Sequence, residues 1–191
     1  MNSDLSDVTV AGFLDSIAER TPAPGGGGAC AVAIGMAAAL VAMAARFSTK
    51  QLPDADDIAR RADALRAEAL PLVAADAAAY SALLTAFRDT SEARDELVTE
   101  ASGAACEVPL RMTDLAARTA GLAATVGTSG NPNLRGDACT AALLCRSAAS
   151  AAATLVGINV AAGGLDDRLV ENARADAAAA SKAAATLEDA S

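Results

Sequence analysis

Histidine is absent from this sequence, which excludes a histidine base, a Ser-His-Asp triad and imidazole metal ligands together. Any proton transfer falls to carboxylates, Lys, Tyr or Cys. One carboxylate is conspicuous by position: Asp76 sits on an apolar stripe at helical spacing, one turn from both Leu72 and Tyr80. An acid in that place is either partly buried or facing a cleft, and both settings raise its pKa unless it is paired.

Two loops supply the other candidate groups. Pro22 to Gly28, with four consecutive glycines at its end, and Gly130 to Asp137 each feed the N-terminus of a long apolar helix. Free backbone N–H groups and the helix dipole at such ends attract anions or a developing negative charge. The same glycines also serve a tight turn and close helix packing, and Asp137 also reads as an ordinary helix cap. Cys30, Cys106, Cys139 and Cys145 lie in apolar helical stretches without a CxxC pair or finger spacing. They read as small core residues, free thiols in a reducing compartment.

The elements that must position these groups are helices. Just over half of the 191 residues are apolar, yet aromatics make up 2% and Ala dominates, so stability must come from many close helix contacts. A first helix starts after Thr9 and carries Val10, Phe13, Leu14, Ile17 and Ala18 on one stripe; Pro22 and Pro24 stop it. The uncharged run 29–45 is short of the ~20 strongly apolar residues of a membrane span and reads as a buried central helix, extending to Phe47. Helical phase holds from Ile58 through Ala62, Leu65, Ala69, Leu72, Tyr80 and Leu83 to Phe87, with Pro71 as a kink or break. Another helix begins near Ser91, and at Pro109 it either kinks or divides in two before Gly127 to Gly130. A second helix that is apolar nearly all round runs from Ala138 to about Ala162, and a charged, Ala-rich helix closes the chain over 166–189.

The expected architecture is therefore a single all-α domain over residues 1–191, a bundle with two apolar central helices. A homodimer is expected because few large side chains are available to cover those helices. The excess of 24 acidic over 15 basic side chains, a net charge of −9, argues against a nucleic-acid partner. The segment MNSDLSDVTV has neither a positive patch nor an apolar run, so no signal peptide is read and a cytoplasmic location without a membrane partner is expected.

The stretch Thr21-Pro22-Ala23-Pro24-Gly25-Gly26-Gly27 before an Ala-rich helix resembles the cyclodeaminase/cyclohydrolase family, with its Pro-x-Pro-Gly-Gly-Gly-Ser-like signature. Further likenesses follow in order: Asp76-x-x-x-Tyr80; the segment from Ala105 to Leu110; and Gly130-Asn131-Pro132-Asn133 with Asp137, leading to Ile158-Asn159. The likeness covers about residues 5 to 165. It implies a dimerising helical bundle acting on tetrahydrofolates that carry a one-carbon unit. One branch closes 5-formimino-tetrahydrofolate to the 5,10-methenyl form with loss of ammonia; the other hydrolyses the methenyl form to 10-formyl-tetrahydrofolate, and a stand-alone chain leans toward the second. The chain departs from the pattern at Gly28 and Gly136, where Ser is usual, and near Leu155, where an Asn is expected.

This chemistry needs neither histidine nor metal, and no cofactor beyond the folate is expected. Asp137 is the expected base toward water, Asp76 the group that stabilises the cation or exchanges a proton, and Tyr80 the residue that orients Asp76. Pro24, Gly25, Gly26, Gly27 and Gly28 are expected to contact the pterin or the glutamyl carboxylate, with Asn131 and Asn133 as further substrate contacts. Lys50 is a candidate for the anionic tail, although a lone surface lysine is the more ordinary reading. The alternatives to a cyclohydrolase are a formimino-tetrahydrofolate cyclodeaminase and a non-catalytic folate-binding or dimerisation module.

Overall fold

The computed structural model describes residues 8–189, and among them there are seven α-helices, one 3-10 turn and no strand. Most of the N-terminal segment read for a signal peptide lies outside the described residues. Helix α1, Val10–Ala18, opens on Thr9, whose hydroxyl accepts the Gly12 N–H at 3.1 Å. Only Phe13 of its apolar stripe is buried; Val10 and Leu14 stand exposed.

Helix α2, Gly26–Arg46, is the centre of the bundle. The glycines expected as a loop before it are instead its first turn. The helix packs chiefly on α3, Ala55–Ala69, and on α6, Arg135–Gly163, and also meets α4, Leu72–Arg88, and α5, Arg94–Ser129. Alanine is the commonest residue in the interior, including Ala31, Ala37, Ala38, Ala42, Ala141, Ala142, Ala149 and Ala152. With no side chain beyond Cβ, these positions let helix backbones approach closely and gain dispersion contacts without rotamer entropy loss. By length and composition α2, the α3–α4 stretch and α6 are apolar enough to cross a membrane; here most of α2 is buried against protein.

Prolines decide two boundaries in opposite ways. Pro71 separates α3 from α4 as the N-cap of the latter, where its missing N–H costs nothing. Pro109 lies inside α5, which continues through it as a single helix to the Gly130 cap. Helix α6 ends on Gly164 in the left-handed conformation, φ 61°, which a side chain would strain. The closing helix α7, Arg168–Glu188, is less solvent-facing than its composition suggests. It buries Ala173, Ala180, Ala184 and Leu187 against α5 and α6, and Thr113 ties it to α5 by donating to Asp176 at 2.9 Å.

Candidate active site

The first turn of α2 has backbone N–H groups with no carbonyl four residues behind them, and its N-cap, Gly25, offers no side chain to satisfy them. The missing cap comes from another helix. Asp76, on α4, accepts the Gly28 N–H with its carboxylate. It lies so close over the turn that a Cβ built at Gly27 would overlap the carboxyl group. Burial pushes the Asp76 carboxyl above the usual aspartate value, and the Gly28 hydrogen bond opposes that shift without cancelling it. Burial, and then the negative charge of Asp76, push the neighbouring Cys30 thiol up as well.

Asp76 opens onto a cavity of about 380 Å³ where four helices and the loop before α2 converge. Pro22, Ala23, Gly25, Gly26 and Gly27 form one side; Asp76, Ala79 and Tyr80 come from α4, Ala105 and Pro109 from α5, and Leu155, Ile158 and Asn159 from α6. The walls are mostly apolar, with a carboxylate, a phenol, a carboxamide and a glycine-rich helix end converging on them, the composition of a small-molecule site. Tyr80 is 44% exposed and lines the mouth one turn on from Asp76, whose hydrogen bond comes from Gly28. Among the described residues, no three His, Cys, Asp or Glu side chains gather as metal ligands would.

The formiminotransferase-cyclodeaminase family profile matches residues 9–185. The chain belongs to that family. It is 33% identical over 172 residues to the methenyltetrahydrofolate cyclohydrolase of Methylorubrum extorquens, covering 84% of this chain and 82% of the relative. Its fold superimposes with a TM-score of 0.87 on the crystal structure of formiminotetrahydrofolate cyclodeaminase from Thermotoga maritima, at 25% identity over 96% of each chain. The chain is thus an enzyme of folate one-carbon chemistry, of the cyclohydrolase/cyclodeaminase kind.

Placed on this family fold, the expected site residues separate into two groups. Gly25, Gly26, Gly27, Asp76 and Tyr80 line the cavity; Gly28 holds Asp76, and Pro24 stands behind Gly28, where a built Cβ would be 3.3 Å from it. Lys50, Asn131, Asn133 and Asp137 lie at the opposite end. Asn131 N–H donates to Ser48 Oγ at 2.9 Å and its Nδ2 to the Phe47 carbonyl at 3.1 Å, tying that turn to the C-terminal end of α2. Its Oδ1 accepts the Asn133 N–H at 3.0 Å, so the Asn131 side chain is spent on holding the turn. Asp137 and Asn159 share the continuous helix α6, about 33 Å apart at ~1.5 Å of rise per residue. Within one chain, therefore, Asp137 stands far from the cavity wall that holds Asp76, and the two carboxylates are not brought together.

The departures from the family pattern also divide by place. At Gly28 a Cβ would press on Pro24 at 3.3 Å and make ordinary contact with Val73 at 3.5 Å and Phe13 at 3.8 Å, whereas at Gly136 nothing lies within 4 Å. Leu155, standing where an Asn is expected, makes its part of the cavity wall apolar. Asn159, Ala105 and Pro109 were not singled out as site residues by pattern alone. A signal was present: a proline inside a helix frees the carbonyl four residues earlier, and an Asn in an otherwise apolar helix is available to meet it.

Proposed function

We propose that the chain hydrolyses 5,10-methenyl-tetrahydrofolate to 10-formyl-tetrahydrofolate. The observation that carries this reading is the half-buried Asp76 carboxylate, its pKa raised, on the wall of a mostly apolar cavity. The carbon between N5 and N10 of the substrate belongs to a cationic amidinium, already electrophilic toward water. Asp76 beside it would stabilise that cation and take a proton from the attacking water. Collapse of the tetrahedral adduct then forms the formyl C=O, breaks the bond to N5 and returns the proton from Asp76 to N5. The hydroxyl proton goes to solvent, so one proton is released per turnover. A carboxylate with a raised pKa suits both halves of this transfer better than an exposed one.

The N–H groups of Gly26 and Gly27 point out of the α2 terminus and suit a carbonyl or carboxylate acceptor of the substrate. Ala79, Leu155 and Ile158 provide apolar wall for a flat ring. Between the two activities named among the relatives, the Methylorubrum extorquens sequence, at the higher identity, favours the cyclohydrolase. Loss of the near-ultraviolet absorbance of 5,10-methenyl-tetrahydrofolate with wild-type protein, and not with Asp76→Asn, would support the reading. Ammonia release from the 5-formimino substrate without methenyl hydrolysis would transfer it to the deaminase, and folate binding without either would leave a binding module.

The working unit in this proposal is a cytoplasmic homodimer. Met36 on α2 and Phe47 at its C-cap are exposed, in helical phase with the half-buried Val32, Leu40 and Met43, an uncharged stripe in a chain of net charge −9.

A further inference from the structure

Pro109 has no N–H, so the carbonyl of Ala105, four residues earlier in α5, loses its helical donor. Asn159 of α6 supplies the replacement: its Nδ2 donates to the Ala105 carbonyl at 2.8 Å. A carbonyl accepts only from the nitrogen end of a carboxamide, so this bond fixes which way round the amide stands. Asn159, Ala105 and Pro109 all line the cavity that holds Asp76. The amide is thus held by one hydrogen of Nδ2, and its oxygen is left as an acceptor at the cavity wall.

We infer that Asn159 recognises the substrate by accepting a ring N–H of the pterin on Oδ1, and that Pro109 is the device that aims it. This rests on the proposed folate reaction. The cavity offers N–H donors from the α2 terminus and, apart from Asp76, a neutral acceptor at Asn159. A reduced pterin carries both kinds of edge, a ring carbonyl and several ring and amino N–H groups. The neutral acceptor orients the ring without competing with Asp76 for the cationic carbon.

The test separates recognition from structure. Asn159→Leu removes the amide and leaves the Ala105 carbonyl without a partner, so it lowers both the melting temperature and the affinity for tetrahydrofolate. Adding Pro109→Ala gives that carbonyl a helical N–H again. In Asn159→Leu/Pro109→Ala the melting temperature is expected to return while tetrahydrofolate binding, by calorimetry, stays weaker by about tenfold, the loss of one neutral hydrogen bond. Affinity that returns with the melting temperature, or Asn159→Leu protein that binds as wild type does, would overturn the assignment. Wild-type protein that does not bind tetrahydrofolate at all overturns the folate reading and the assignment with it.

Discussion

The carboxylate of Asp76 occupies the space where Gly27 would carry a Cβ, so the acid on α4 and the missing side chain on α2 are one structural feature. Gly27→Ala tests it. The methyl group must displace the carboxyl group, the end of a short side chain facing a cavity, and Ala favours helix over Gly. The fold is expected to survive, with a melting temperature within a few degrees of wild type. Turnover should fall by about 100-fold as the base leaves its position. A Gly27→Ala enzyme with full activity would show that Asp76 does not need this seat.

Asp76→Asn separates catalysis from stability. Turnover should drop by about 10²- to 10⁴-fold, the usual loss on removing a general base. Stability should move the other way. The folded state holds the Asp76 proton above the ordinary value of 3.8, so between that value and the raised one it binds more protons than the unfolded chain. Wild-type stability therefore falls as pH rises through that window and stays lower above it. Asp76→Asn should lack this fall and melt higher than wild type at neutral pH. The acid limb of the wild-type kcat/KM profile should lie above pH 3.8, with activity rising as Asp76 ionises. Identical melting profiles for the two proteins from pH 3 to pH 8 would count against a desolvated Asp76.

The helical bundle, the two apolar central helices and the acid on the α4 stripe were legible because each is a matter of local periodicity. Asp76 lies one turn from Leu72 and from Tyr80, and spacing alone puts it at the edge of a buried face. What periodicity could not give was which helix ends meet. Asp137 and Gly25 look equivalent in sequence, each at the start of an apolar helix, but α6 delivers its C-terminal end to the cavity and its N-terminal end to Ser48 and Phe47. Tyr80 and Phe87 share the expected apolar stripe yet are exposed, because the buried face of α4 runs through Leu72, Val73, Leu83 and Ala86. Pro109 left open whether its helix kinks or divides; α5 goes on as one helix, and the freed Ala105 carbonyl finds its donor across the bundle.

The four cysteines should be told apart by their reactivity. All are free thiols; Cys139 is half-buried, while Cys30, Cys106 and Cys145 are buried. Burial pushes the Cys145 thiol up to about 12 and raises Cys30 and Cys106 too, which removes the reactive thiolate. Titration of the native protein with an aromatic disulfide should release one equivalent quickly, lost in Cys139→Ser, and the remainder only in denaturant. Fast labelling of Cys145 in native protein would mean that α6 opens.

The separation of Asp76 from Asp137 within one chain has a two-fold solution. If two copies pair antiparallel along the uncharged stripe of α2, with the axis near Met36 at mid-helix, the Gly26 end of one chain lies beside the Phe47 end of the other. That end carries Lys50, Asn131, Asn133 and Asp137, so each cavity would receive from the partner the groups its own chain keeps about 30 Å away along a helix rising ~1.5 Å per residue. Light scattering should then give a dimer mass, and Met36→Asp should give monomers with little activity. In such a pair the partner's Asp137 would take the hydroxyl proton of the adduct on its way to solvent, so Asp76→Asn and Asp137→Asn should each be inactive alone. Mixed and re-equilibrated in equal amounts, half of the dimers would combine one copy of each and hold one intact site, so activity should return to about a quarter of wild type. A monomeric wild-type protein would defeat the pairing, and an active Asp137→Asn variant would confine the chemistry to the Asp76 end of a single chain.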